Sequence, residues 1–156
     1  MTTARMTRRP AAHTVSTALA ALALVGVTAA PSFAQEVTVW DGVYTEAQAR
    51  RGEERYKAIC GYCHRDDLSG GGSEAGAPTL TGTFFTTQWE DSQLVDLFVT
   101  IGTTMPKNEP DSLMPQVVID ILSFLLQANE MPAGDTELPP ELAPLEEILF
   151  TEKPQR

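Results

Sequence analysis

The chain has 156 residues, enough for one domain with a modest core, and its 21 Asp+Glu against 11 Lys+Arg give a formal charge of −10. That balance argues against nucleic acid and anionic membrane surfaces as partners, since like charges repel. With only two Cys and two His, one of them in a segment expected to be removed, the chain also lacks the ligands for a tetrahedral zinc site.

Residues 1–34 read as a secretory signal peptide. Arg5, Arg8 and Arg9 form a positive n-region without acids, Val15 to Ala30 carries no charge, and Ser32-Phe33-Ala34 places small residues at the two positions a signal peptidase inspects. Cleavage is expected after Ala34. The uncharged stretch is shorter than the roughly 20 residues that span a bilayer, so no membrane span is expected after cleavage. No Cys lies near the cut to carry a lipid, and Pro10 spoils the twin-arginine pattern that Arg8-Arg9 begins. These features predict export to the periplasm. Loss of the three arginines takes the formal charge from −10 to −13. Such a field favours a partner with a basic docking rim, or serves only to keep the surface solvated.

Residues 35–44 form an N-terminal extension, and a helix is expected from Thr45, which can cap it with Gln48 three residues on as in a capping box. Ala49, Gly52, Tyr56 and Ile59 recur at spacings of three and four on one face. Between them, Arg50/Glu54 and Glu53/Lys57 stand four apart. Gly52 costs about 1 kcal/mol against Ala inside a helix, so its expected use is to let another helix approach closely.

The helix runs into Cys60-Gly61-Tyr62-Cys63-His64. A Cys-x-x-Cys-His pentapeptide is the signature of covalent c-type haem attachment. Two thiols three residues apart can each add to one porphyrin vinyl group, and the adjacent imidazole then lies against the iron. A thioredoxin-type dithiol would follow a strand in a βαβ unit, whereas the residues before Cys60 have a helical period. Tyr62 reads as a spacer.

Leu68 to Gly76 is too glycine-rich for regular structure and reads as a surface loop. It cradles no phosphate, since no Gly-Lys-Ser/Thr follows. A second helix is expected from Asp91, as N-cap, to about Ile101, with Leu94, Leu97, Phe98 and Ile101 inward. A third starts at Pro115 and ends near Ala128. In it Val117, Ile121, Phe124 and Ala128 face inward, alternating with Gln116, Asp120, Ser123 and Gln127. No β-hairpin and no internal repeat is visible. Residues 130–156 read as an acidic, proline-rich tail. Within it Leu142, Leu145, Ile148 and Leu149 either form a short helical turn on the domain surface or remain unordered.

Residues 45–129 resemble the class I c-type cytochromes. The resemblance rests on Gly52 and Tyr56 before Cys60-x-x-Cys63-His64, then Gly76-Ala77-Pro78-Thr79-Leu80, Thr104-Met105-Pro106, and a C-terminal helix carrying Ile121 and Phe124. More narrowly, Val43 to Ala49, Asp67 to Gly71 and Leu125 to Asn129 are similar to small monohaem cytochromes that accompany bacterial quinoprotein dehydrogenases. The resemblance implies an all-α, cytochrome c-like fold of three main helices around one covalently bound haem c, with the first and last helices crossing at the glycine and aromatic positions. It implies thioethers from Cys60 and Cys63, His64 as the proximal iron ligand, and the Pro78 carbonyl as acceptor for the other imidazole nitrogen. Of the pairs Met105-Pro106, Met114-Pro115 and Met131-Pro132, the first matches the family's distal loop, so Met105 is the expected sixth ligand and Met114 the alternative. Phe84 and Trp89 are candidates for the haem wall or for ordinary core.

The function implied is that of a monomeric one-electron carrier, not an enzyme, passing electrons between a periplasmic dehydrogenase and a respiratory acceptor. His64 is the only histidine after the presequence, and His/Met ligation sets a higher potential than bis-His. The competing readings are a haem-based ligand binder or peroxidase-like enzyme with an open sixth position, and a bound subunit of a dehydrogenase or oxidase complex.

Overall fold

The computed structural model describes residues 36–71 and 76–155; the expected signal peptide lies outside them. The first long helix, α1 (Glu46–Ile59), begins where the sequence predicts, with the Thr45 hydroxyl accepting from the Gln48 N–H at 3.1 Å. The reciprocal half of the capping box is replaced. The Gln48 carboxamide instead donates to the Leu138 carbonyl and accepts from the Leu138 N–H, both at 2.8 Å. Lys57 pairs with Glu53 at 2.7 Å, while Arg50 turns back to Glu46 rather than forward.

A short helix, α2 (Gly61–His64), follows at once. Then come α3 (Gly82–Trp89), α4 (Leu94–Thr104) and α5 (Pro115–Ala128). The α3 helix is absent from the sequence-based expectation, because Thr83, Phe84, Phe85, Thr86 and Thr87 are residues of low helix propensity. Tertiary packing forms it. Phe85 is buried in edge contact with Phe150, ring centroids 6.0 Å apart. Asp91 does not cap α4; it sits at φ +62 in a turn, and the helix starts at Leu94, where the Asp96 carboxylate accepts from the Gln93 N–H at 3.1 Å. The inward residues Leu94, Leu97, Phe98 and Ile101 are buried as predicted.

The largest helix contact is between α1 and α5. They cross at Gly52, where a Cβ would overlap the Asp120 carbonyl and touch the Phe124 Cβ at 3.0 Å. One turn on, Tyr56 packs on Phe124 with centroids 5.3 Å apart. Gly52→Ala is therefore expected to destabilise the protein. The methyl meets helix backbone that cannot rotate away, so the cost falls at the upper end of the ~1–3 kcal/mol typical of overpacking. Alanine's helix advantage of about 1 kcal/mol leaves a net loss of about 2 kcal/mol. A melting temperature lowered by several degrees checks this; an unchanged or raised one would show that the crossing is looser than the backbone distances indicate.

The α5 helix is buried on more than one face, every residue from Val118 to Leu126 being inside. Ile121 and Phe124 are inward as predicted, and Val117 and Ala128 only half-buried. Asp120 and Ser123, expected at the surface, are buried. Ser123 donates to the Ile119 carbonyl at 2.9 Å. Asp120 accepts from Arg51 Nε at 3.2 Å and Nη2 at 3.0 Å, and from Gln116 at 3.0 Å. This fork satisfies a carboxylate that would otherwise be costly to bury. Arg51 also holds Glu137 through contacts of 2.8 and 3.0 Å.

The C-terminal segment is not a loose tail; it packs against α4. Leu138, Leu145, Ile148 and Phe150 are buried, α6 occupies Leu142–Glu146, and β2 (Ile148–Leu149) pairs in parallel with β1 (Val37–Thr38). Residues 36–44 belong to the same layer: Val39 and Tyr44 are fully buried, the Tyr44 hydroxyl donates to the Met131 carbonyl at 2.6 Å, and Gly134 lies against Gly42 so closely that a Cβ would overlap the Gly42 carbonyl. Among the described residues no helix is long and apolar enough to cross a membrane.

Candidate haem-attachment site

The last turn of α1 delivers Cys60, whose N–H bonds the Tyr56 carbonyl at 2.7 Å. The Cys60 carbonyl then accepts from the Cys63 N–H at 3.1 Å and the His64 N–H at 2.9 Å. The two sulfurs thus leave the same side of one helical turn, with the imidazole next in line. Both are thiols, not a disulfide. Burial, and secondarily Cys63, pushes the Cys60 thiol up to about 11, which holds it as S–H. Among the described residues, no three of His, Cys, Asp and Glu are grouped to hold a metal ion.

His64 is buried, and its Nδ1 lies 2.9 Å from the Pro78 carbonyl. A carbonyl only accepts, so Nδ1 carries the proton and the Nε2 lone pair is left for a ligand. The sequence-predicted pairing of His64 with Pro78 is therefore present in the geometry. Several contacts hold the two segments together. Leu80 N–H bonds the Leu68 carbonyl at 2.9 Å, Thr79 Oγ1 donates to the same oxygen at 3.0 Å, and Gly71 N–H bonds the Ala77 carbonyl at 2.9 Å. The His64 carbonyl takes the Gly70 N–H at 2.9 Å, and the Tyr56 hydroxyl donates to the Arg65 carbonyl at 2.9 Å. The hydroxyl role of Tyr56 and the part played by Gly70 are missed by sequence reasoning. Periodicity marks Tyr56 only as inward, and the Gly70-Gly71 pair reads only as loop.

The three methionines of the Met-Pro pairs fall in different environments. Met105 caps the C-terminus of α4, its N–H on the Ile101 carbonyl at 3.1 Å, and is half-buried. Met114 is the N-cap of α5 and 69% exposed. Met131 is buried to 2% exposure beyond the far end of α5. Phe84 is exposed, whereas Trp89 is half-buried against the core. A cleft of about 600 Å³ beside Trp40, Thr86, Glu90 and Lys153 includes none of Cys60, Cys63, His64 or Met105.

Two thiols and a tautomer-fixed imidazole on one turn fit the needs of a c-type haem. A family model described as cytochrome c oxidase, cbb3-type, subunit III matches residues 47–125, just over half of the chain. No curated protein matches. The crystal structure of the sulfane dehydrogenase SoxCD from Paracoccus pantotrophus is similar with a TM-score of 0.45 and 17% sequence identity, over 72% of this chain and 62% of that one.

Proposed function

This chain is a class I c-type cytochrome, belonging to the family of the cbb3-type cytochrome c oxidase subunit III, and we propose that it works as a periplasmic one-electron carrier between a dehydrogenase and a respiratory acceptor. Electron transfer follows from the family; the free-carrier role, the compartment and the residues are the proposal. The observation that carries it is the His64 Nδ1 to Pro78 carbonyl contact of 2.9 Å on the turn that bears Cys60 and Cys63, because it selects the neutral tautomer whose lone pair is on Nε2, beside two thiols.

Cys60 and Cys63 would each add S–H across one vinyl double bond, forming a carbon–sulfur bond and placing the hydrogen on the neighbouring carbon, with no net redox change. His64 would supply Nε2 to the iron, and the Pro78 carbonyl holds the ring in that tautomer. Met105 would supply the second protein ligand through its thioether. What bound haem supplies is a reversible one-electron couple, and a His/Met pair sets that couple at high potential. Buried apolar side chains, among them Leu68, Leu97 and Phe98, make up part of the dry interior. Residues 1–34 support export, the compartment in which c-type haem is attached.

The acidic surface supports a partner with a basic rim. With a formal charge of −13 once Arg5, Arg8 and Arg9 are removed, and a Debye length of about 10 Å at 0.1 M ionic strength, electron exchange with a basic partner is expected to slow several-fold from low to physiological salt. Stopped-flow rates against ionic strength check this. A flat or rising rate would mean docking through an apolar patch, with the acidity serving only solubility.

A further inference from the structure

We propose that Gly70 is a positioning residue for His64: its bare backbone is the seat on which the Pro78 carbonyl rests, and the absence of a side chain there sets the hydrogen bond at His64 Nδ1. The inference rests on the reading of His64 as the haem ligand.

Gly70 has φ +74, and a Cβ built on it would lie 2.6 Å from the Pro78 carbonyl carbon, 2.6 Å from the Thr79 nitrogen and 2.7 Å from the Ala77 oxygen. All three are backbone atoms, so no rotamer relieves the overlap; the peptide carrying the Pro78 oxygen has to move. The segment cannot move as one piece. Just beyond it Leu80 is tied to the Leu68 carbonyl at 2.9 Å, and Asn129 grips the following turn through the Leu80 carbonyl and the Gly82 N–H, both at 3.0 Å. Just before it the Ala77 carbonyl is held by Gly71. Displacement is thereby concentrated on the one carbonyl that faces His64. Outer-sphere acceptors of this kind fix the orientation of a ligating imidazole and raise its basicity. A weakened acceptor makes Nε2 a poorer donor, which disfavours the oxidised iron and raises the midpoint.

Gly71 provides the control. It has φ +64, so a side chain there suffers the same left-handed backbone strain, but a Cβ on it would meet nothing within 4 Å. In the reduced holoprotein, Gly70→Ala is expected to move the His64 Nδ1–H proton resonance upfield, to speed its exchange with solvent and to raise the midpoint. Gly71→Ala is expected to leave all three unchanged. Equal shifts in the two variants, or none in Gly70→Ala, overturn the proposal. Should Gly70→Ala fail to assemble, Thr79→Val retains Gly70 and deletes the hydroxyl tie to the Leu68 carbonyl; it should shift the resonance the same way by less, and an unchanged resonance overturns the proposal. A wild-type protein lacking covalent haem, or lacking a resonance from a haem-bound His64, would instead sink the reading of the site, and the inference with it.

Discussion

Replacing Cys60 and Cys63 together by Ala is expected to abolish haem staining of the polypeptide after denaturing electrophoresis, where the unaltered protein keeps its stain. Thioethers survive conditions that strip axial ligands, so the assay isolates the two sulfurs from His64 and Met105. The geometry predicts the effect of each single variant as well. Cys60 and Cys63 sit on one helical turn closed by hydrogen bonds of 3.1 and 2.9 Å from the Cys60 carbonyl, so either alone presents its sulfur much as the pair does, and each single variant should retain a stained fraction. Recovery of unmodified, zinc-loaded protein from a host competent in cytochrome maturation would refute the reading.

Met105→Ala is expected to remove the weak long-wavelength band of a sulfur-to-ferric-iron bond, lower the midpoint and let the reduced protein bind CO. Met114→Ala should leave all three as they are. Met114 is 69% exposed at the start of α5, and Met131 is enclosed at 2% exposure with its carbonyl held by Tyr44. Of the three, only Met105 stands half-buried at the end of a helix. The opposite result in the two variants would move the ligand to Met114. CO binding to the unaltered reduced protein would favour the ligand-binding or peroxidase-like reading with an open sixth position.

Most of the candidate site was legible because its information is local. The spacing of Cys60, Cys63 and His64 specifies one helical turn, and Gly76 to Leu80 announces by family resemblance the segment whose Pro78 carbonyl meets His64. The helix crossing was legible too, for a different reason. Gly52 is unfavourable within a helix unless something close requires it, and the Asp120 backbone is what it admits. The same logic failed at Gly70, where a glycine in a glycine-rich run carries no comparable signal; its contact with Pro78 joins segments that only the fold brings together.

By itself, the sequence determined the start of α1 at Thr45, the limits of α5 at Pro115 and Ala128, the cysteine–histidine turn between them and the expectation of a haem. Each of these is written in hydrophobic period, capping chemistry or short-range spacing. Only the tertiary structure decided that α3 is helical, that Asp120 and Ser123 are buried, and that Leu138, Leu145, Ile148 and Phe150 form part of the core. The reason is physical: propensity and polarity describe a residue's preference in isolation, whereas burial depends on what arrives from elsewhere in the chain. Asp120 goes inside because Arg51 comes from α1 to neutralise it, and the acidic, proline-rich segment orders because Leu138, Leu145, Ile148 and Phe150 join the core and the segment packs on α4, β1 and Phe85.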